Sequence, residues 1–301
     1  MQASIDQVRR FWDENPCGSN LSTEGNRKRY FIEVESTRYQ TERHIPEVAR
    51  FQEFHDRDIL EIGCGIATDG LQFAKHGARY TGIDLSPASV AIATERFGLY
   101  QLEGRLEVAN AEKLAFPDKS FDHVYSFGVI HHSPDTRAIV REIYRVLRAG
   151  GSFCIMVYNR SSINYHVEIM TLRRLFRLVL RPKFMTRLVG LLTGFERSKL
   201  EGHRRLLVER PKLEKQEWLN MNTDGPWCPL AKVYDAKEAF DLFGDFIDVK
   251  TEVRHFDRSH WALIGKLLPD RLCDKLGHRW GWHRIITGRK PEKQSRVESP
   301  E

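Results

Sequence analysis

The chain has 301 residues, 41% hydrophobic and 29% charged, with a formal net charge of +6. This is globular composition, enough for one large α/β domain or a domain carrying an insertion. No apolar run approaches the roughly 20 residues of a membrane span, and the first six residues lack the basic-then-apolar order of a secretion signal.

Residues 1–54 read as an N-terminal helical cover. Val8, Phe11 and Trp12 have helical spacing, and Asn15-Pro16-Cys17-Gly18-Ser19 breaks the pattern. A second helical stretch spans about 27–54, with Pro46 expected to bend or interrupt it. A strand–helix alternation then occupies 55–158. Strands are expected near 58–62, 78–84, 106–109, 123–127 and 152–158. Helices are expected between them at 67–76, 86–97 and 135–147, the second with Ser86 as N-cap and Pro87 at its first position. Repeated βα units predict a parallel sheet with helices on both faces and ligands at the carboxyl ends of the strands.

Residues 159–240 interrupt the alternation and are too long for a simple connection. They are expected to form a helical lid that carries the substrate site. Strands return near 246–256 and 283–287 within a segment 241–288, and 289–301 reads as a disordered polar tail. Between Arg160 and Lys215 there are 14 Lys or Arg against 5 Glu, a net of +9, which leaves about −3 for the rest of the chain. The basic excess therefore belongs to one segment.

The run Ile59-Leu60-Glu61-Ile62-Gly63-Cys64-Gly65 carries the most information. It reads as a buried strand turning sharply into a nucleotide-binding loop. A carboxylate two residues before the first glycine repels a pyrophosphate and suits a cationic ligand, such as S-adenosylmethionine with its sulfonium and ammonium. The competing role for Glu61 is capping of the turn. Thr68 stands where a dinucleotide fingerprint wants a third glycine. Gly63 and Gly65 let the backbone approach a ligand, and Cys64 between them reads as a small filler. Asp84, at the end of the second strand, can accept both ribose hydroxyls, or can serve only as a helix N-terminal acid.

These motifs, with Gly82-Ile83-Asp84-Leu85-Ser86, Ala111-Glu112-Lys113-Leu114-Ala115-Phe116, Phe121-Asp122-His123-Val124 and Arg145-Val146-Leu147-Arg148-Ala149-Gly150-Gly151, resemble class I S-adenosylmethionine-dependent methyltransferases. Within that family the likeness is to small-molecule enzymes, including the quinone-methylating group. It implies a Rossmann-like, mostly parallel seven-stranded sheet with helices on both faces, plus the N-terminal helices and the helical lid. S-adenosylmethionine is the implied cofactor. The implied contacts are Leu85 on the adenine, Asn110 and Ala111 at the adenine edge, and Phe127 and Gly128 near the sulfonium. Asn110 stands where the family usually has Asp. Tyr30, Arg38 and Tyr39 are expected to close over the methionine end, Arg38 meeting its carboxylate.

Methyl transfer is an in-line displacement at an activated carbon, so the protein mainly aligns and desolvates the nucleophile. A base is needed only when that nucleophile must lose a proton. His131 and His132 are the candidates, with Tyr158 or Tyr165 as further ones, and the competing role for either histidine is packing under the sheet. No metal is expected. Five scattered cysteines without a C-x-x-C pair favour reduced thiols and a cytoplasmic setting. The partner expected is a small-molecule acceptor, not nucleic acid. Three functions of the basic insertion stay open beside a plain solvated face: covering a small substrate, peripheral contact with an anionic membrane to reach a lipid, or binding RNA as substrate. A cofactor-binding protein without transferase activity also remains. The acceptor atom and the oligomeric state are not legible.

Overall fold

The computed structural model describes residues 3–292 apart from 195, 210, 211, 226, 257, 259–264 and 266. The N-terminal cover comprises α1 (Ile5–Glu14), α2 (Arg27–Thr41) and α3 (Ile45–Ala49), followed by a 3-10 turn at Phe51–Phe54. The expected second helix thus ends at Glu42, ahead of Pro46. Proline opens α3 instead of bending α2, because a ring that lacks an N–H costs nothing in a first helical turn.

The alternating core follows as β1 (Asp58–Ile62), α4 (Thr68–Lys75), β2 (Arg79–Asp84), α5 (Pro87–Tyr100), β3 (Arg105–Val108), β4 (Phe121–Phe127), α6 (Thr136–Val146) and β5 (Leu147–Asn159). Ser86 caps α5, its hydroxyl accepting the Ser89 amide at 3.0 Å. The insertion holds a π-helical turn at Asn164–Leu172, then α7 (Arg173–Val179), α8 (Lys183–Thr193), α9 (Arg197–Glu209), α10 (Lys215–Asn220) and a short β6 (Val233–Tyr234). The chain closes with α11 (Ala236–Leu242), β7 (Ile247–Arg254), α12 (Asp270–Trp280) and β8 (His283–Arg289).

Among the described residues the seven expected strands form the path of the sheet, and the two-residue β6 is an eighth beside it. The path runs β3-β2-β1-β4-β5-β8-β7, and β6 pairs beside β5. β1 to β5 are mutually parallel, while β8 runs antiparallel to both β5 and β7. β4 pairs with β5 as far as Met156, and β6 continues that edge opposite Tyr158 and Asn159. A two-residue strand leaves too little alternation to be read from sequence. Chain order reverses direction between β1 and β4, so the carboxyl ends of those two strands are the topological switch point where such sheets bind ligands.

The tail begins later than expected. Arg289 pairs with Ser152 in the sheet, and the Lys290 ammonium is buried, donating to the Tyr144 and Leu147 carbonyls at 2.6 and 2.8 Å. Those carbonyls lie at the end of α6, where a cation is favoured. Residues 293–301 of the expected tail lie outside the described residues.

Arg96 on α5 ties the cover to the core. Its side chain is fully buried and donates to Thr68 Oγ1 at 2.7 Å, the Phe31 carbonyl at 3.2 Å and the Ile66 carbonyl at 3.4 Å. It therefore joins α2, the glycine loop and α4 at one point. Arg96→Met keeps the volume but strands these acceptors, and should lower unfolding stability by about 1.5–3 kcal/mol in urea titration.

Candidate functional site

A cleft opens at the switch point. Its floor is Glu61, Gly63, Cys64 and Gly65 after β1, Asp84 and Leu85 after β2, Asn110 and Ala111 after β3, and Phe127 and Gly128 after β4. Arg38, Asp69 and His132 add to its polar lining, and Val8, Trp12, Cys17 and Leu21 wall it from the cover.

The loop geometry explains its glycines. Gly63 has φ +73°, and a Cβ there would stand 2.3 Å from the Val129 side chain. Gly70 on α4 faces Tyr80, where a Cβ would stand 2.1 Å from the phenol oxygen. That space lets the Tyr80 hydroxyl donate to Glu61 Oε2 at 2.5 Å. Asp84 Oδ2 accepts the Gly65 amide at 2.8 Å and Oδ1 accepts the Ser86 amide at 2.9 Å, so the carboxylate shapes the loop as well as facing the cleft. Asp13 on α1 accepts the Ser86 hydroxyl and the Ala88 amide, each at 2.9 Å, and this docks α1 beside the opening.

Charge is concentrated at the far end of the cleft. Asp69 is buried and accepts four bonds: Arg38 Nε at 3.1 Å and Nη2 at 2.9 Å, Tyr39 OH at 3.0 Å and Tyr125 OH at 3.0 Å. Arg38 Nη1 also lies 3.3 Å from Glu42. Burial, followed by the Asp69 charge, holds the Glu61 carboxyl well above its ordinary range, with Tyr80 and Arg38 opposing. Burial raises Asp84 too, against its backbone donors. Among the cleft-lining residues described, three carboxylates face one permanent cation, Arg38. The site is built for a ligand of net positive charge.

Not every expected residue faces the cleft. Tyr30 turns away: its hydroxyl donates to the Ser19 carbonyl at 2.7 Å, and Arg27 lies over its ring. It anchors the loop that presents Cys17 and Gly18. Tyr39 acts through Asp69, and Arg38 is committed to Asp69 and Glu42 rather than free for a carboxylate. Asn110 Oδ1 accepts the Glu112 amide at 2.9 Å, so one acceptor direction is used locally. His131 is fully buried against Tyr158, 4.0 Å between ring centroids, and neither of its ring nitrogens has a hydrogen-bond partner. Burial and the adjacent His132 keep it neutral, with its pKa well below the histidine range. It packs under the sheet and is not placed to exchange protons with a ligand.

His132 lines the cleft beside Trp12, 5.1 Å between ring centroids. Its Nδ1 donates to the Leu230 carbonyl at 2.6 Å, which leaves Nε2 unprotonated in the neutral ring, 3.4 Å from Asp224 Oδ2. The Tyr158 hydroxyl donates to Asp224 Oδ1 at 2.6 Å, and burial raises its pKa well above the tyrosine range, so the phenol orients Asp224. Tyr165 is buried outside the cleft lining. No residue of 159–240 is among the described cleft-lining residues. The insertion instead backs the site through Asp224, Leu230 and Lys232, whose amide donates to the His131 carbonyl at 3.0 Å.

Sequence reasoning did not single out Asp69, Tyr80, Tyr125, Arg96 or Asp224. Asp69 had a visible signal, an acid in the first turn after the glycine loop. The others became functional only through contacts distant in sequence.

The switch-point cleft, the glycine turn and the acid-rich floor define a class I S-adenosylmethionine-dependent methyltransferase domain. Residues 60–155 match the family described as methyltransferase domain. Over 125 residues the chain is 35% identical to the O-methyltransferase resE of Aspergillus sclerotiorum, a stretch that is 40% of this chain and 47% of that protein. Over 103 residues it is 36% identical to the 2-methyl-6-phytyl-1,4-hydroquinone methyltransferase of a Synechocystis species, 34% of this chain and 32% of that protein. The chain thus spans less than half the length of the curated relatives it matches. The solved phosphoethanolamine N-methyltransferase 2 of Haemonchus contortus aligns over 96% of this chain and 61% of its own, with a TM-score of 0.55 and 17% identity, a likeness of fold alone. The domain's cofactor is S-adenosylmethionine.

The raised Glu61 pKa has a measurable sign. Above the ordinary carboxylate range the native, ligand-free protein retains a proton that the unfolded chain has lost, so stability falls as pH rises toward the raised value. Glu61→Gln keeps an acceptor for Tyr80 and should flatten this slope. Its melting temperature should match or exceed that of the parent at neutral pH, as measured by thermal melts across the pH range.

Proposed function

We propose that the protein transfers the methyl group of S-adenosylmethionine to a small apolar acceptor bearing a weakly acidic hydroxyl, a phenol or hydroquinone in class. The observation that carries this reading is the joint placement of the acid-rich glycine-loop cleft and of His132, whose tautomer is fixed by Leu230. Glu61 faces the cationic methionine end of the cofactor. Asp84 takes the ribose hydroxyls, Leu85, Asn110 and Ala111 the adenine, and Phe127 and Gly128 border the methionine end. The sulfonium supplies the leaving group, so the protein's work is alignment and exclusion of water. The acceptor's proton passes to the pair of His132 and Asp224, whose Nε2 and Oδ2 lie 3.4 Å apart and share it, with Asp224 held by Tyr158. Trp12 and the other apolar residues of the cover select an apolar body. A hydroquinone methyltransferase among the relatives supports this class of acceptor.

Turnover of methyl-labelled cofactor against a panel of phenols and hydroquinones tests the proposal. His132→Ala should lower kcat by about 100- to 10,000-fold while cofactor affinity stays within twofold or so. Asp84→Asn should weaken cofactor binding by roughly 10- to 100-fold in calorimetry, the loss of a charged hydrogen-bond acceptor. Wild-type binding in Asp84→Asn would overturn the cofactor placement, and wild-type turnover in His132→Ala the role of the base.

A second reading concerns the insertion, and we propose that it rests on an anionic membrane surface. α8 exposes Phe184, Leu188, Leu191 and Leu192 along one face, while Met185 and Val189 on the adjoining face pack with Leu180 and Leu200. Leu191 is 81% exposed. The net +9 of 160–215 supplies the matching charge. No helix among the described residues is long and apolar enough to cross a membrane, so contact would be peripheral. The protein should co-sediment with phosphatidylserine-containing vesicles and not with neutral ones, and the double variant Phe184→Asp/Leu191→Asp should lose this. Equal recovery with neutral vesicles, or no effect of the double variant, would reject the reading.

A further inference from the structure

Beside the cofactor cleft, on the far side of Phe127, four ionisable side chains from three distant segments converge. Glu42 ends α2, His44 follows two residues later, His255 leaves β7 and His283 opens β8. The Glu42 carboxylate and a ring nitrogen from each of His255 and His283 lie within 4.8 Å of one another, with His283 Nε2 3.6 Å from Glu42 Oε1. The His255 and His283 rings are 4.5 Å apart between centroids. We infer that Glu42, His255 and His283 form a binding site for a divalent transition-metal ion of the zinc class.

The geometry suits that ion. Two imidazoles and one carboxylate make a three-ligand set that leaves a position for water. His283 already has the outer partner that such ligands use: its Nδ1 is 3.1 Å from His44 Nε2. When Nδ1–H donates to His44, the Nε2 lone pair points toward the Glu42 carboxylate, an arrangement that a cation between them stabilises. His255 is held in place by its backbone. It sits in the left-handed region at φ 69°, and its carbonyl accepts the Trp282 amide at 2.8 Å, beside His283. Arg38 is paired with Asp69 and lies 3.3 Å from Glu42 Oε2, which leaves Glu42 Oε1 facing His283 for the ion, and Arg254 is paired with Glu252 at 2.8 Å.

The ion would fasten the end of α2 to β7 and β8. His283 and His44 both pack on Phe127, with centroids 5.5 and 5.8 Å away, so the site is one ring removed from the cleft. No metal spacing is visible in the sequence, because positions 42, 255 and 283 meet only in the folded chain. The site is separate from the His132, Asp224 and Cys228 group at the cleft wall, where His132 Nδ1 is already bonded to Leu230.

The test is calorimetric titration of the chelator-treated full chain with zinc chloride, with competition against a chromophoric chelator. The parent should take up one equivalent saturably. His255→Ala and Glu42→Gln should each bind about 10-fold more weakly or worse, and Cys228→Ser should bind as the parent does. Cobalt(II) added to the parent should develop ligand-field absorption that zinc abolishes, a readout independent of any variant's folding. Absence of saturable uptake by the parent, parental affinity in both His255→Ala and Glu42→Gln, or loss confined to Cys228→Ser would overturn the site. None of these measurements depends on methyl transfer, so the outcome is independent of the proposed activity.

Discussion

The structure is organised around a concentration of negative charge that the protein alone does not neutralise. Glu61, Asp69 and Asp84 meet at the carboxyl ends of β1 and β2 and the start of α4, and Arg38 is the permanent cation among the described cleft residues. Asp69 is satisfied by the guanidinium and two phenols. Glu61 has one phenol and a pKa lifted by burial. A buried carboxyl with so little compensation is costly unless it stays protonated or meets a cation. A sulfonium ligand with an ammonium group is a physical solution to that cost.

Much of the cover follows from this cluster. Arg38 must leave α2 pointing at Asp69, and the register of α2 is set by Arg96 bonding the Phe31 carbonyl from the other side. α1 is placed independently by Asp13 on the first turn of α5. Two helices without strand partners are therefore fixed over the switch point by three charged side chains. Apolar packing then fills the remainder, with Phe31, Val34 and Ile66 in one small cluster.

The insertion divides its work. Its last part, from Asp224 to Tyr234, joins the sheet through β6 and backs His132. Its basic helices contribute nothing to the described cleft lining and turn an apolar stripe outward. Among the described residues the wall of the cleft opposite its floor is consequently made by α1 and the loop after it, with Trp12 and Leu21, and not by the basic helices. A site walled by the cover and backed by the insertion can change its acceptor without disturbing the cofactor floor, in keeping with the general separation of fold from function.

By itself the sequence determined the βα core and the segments that form the floor of the cleft. Those features are local: strand periodicity, glycines at a turn, and carboxylates a few residues from the strand ends they close. Glu61, Asp84 and the Gly63–Gly65 turn are legible because their chemistry lies within one short segment. Tertiary structure alone decided which histidine lines the cleft, since His131 and His132 are neighbours in sequence and a short turn buries one against Tyr158 and brings the other to the cleft wall. It also turned Tyr30 away, committed Arg38 to Asp69, added β6 to the sheet and brought Asp224 to His132. Each of these depends on where a side chain from a distant segment arrives, which packing of the whole chain sets and no local pattern encodes.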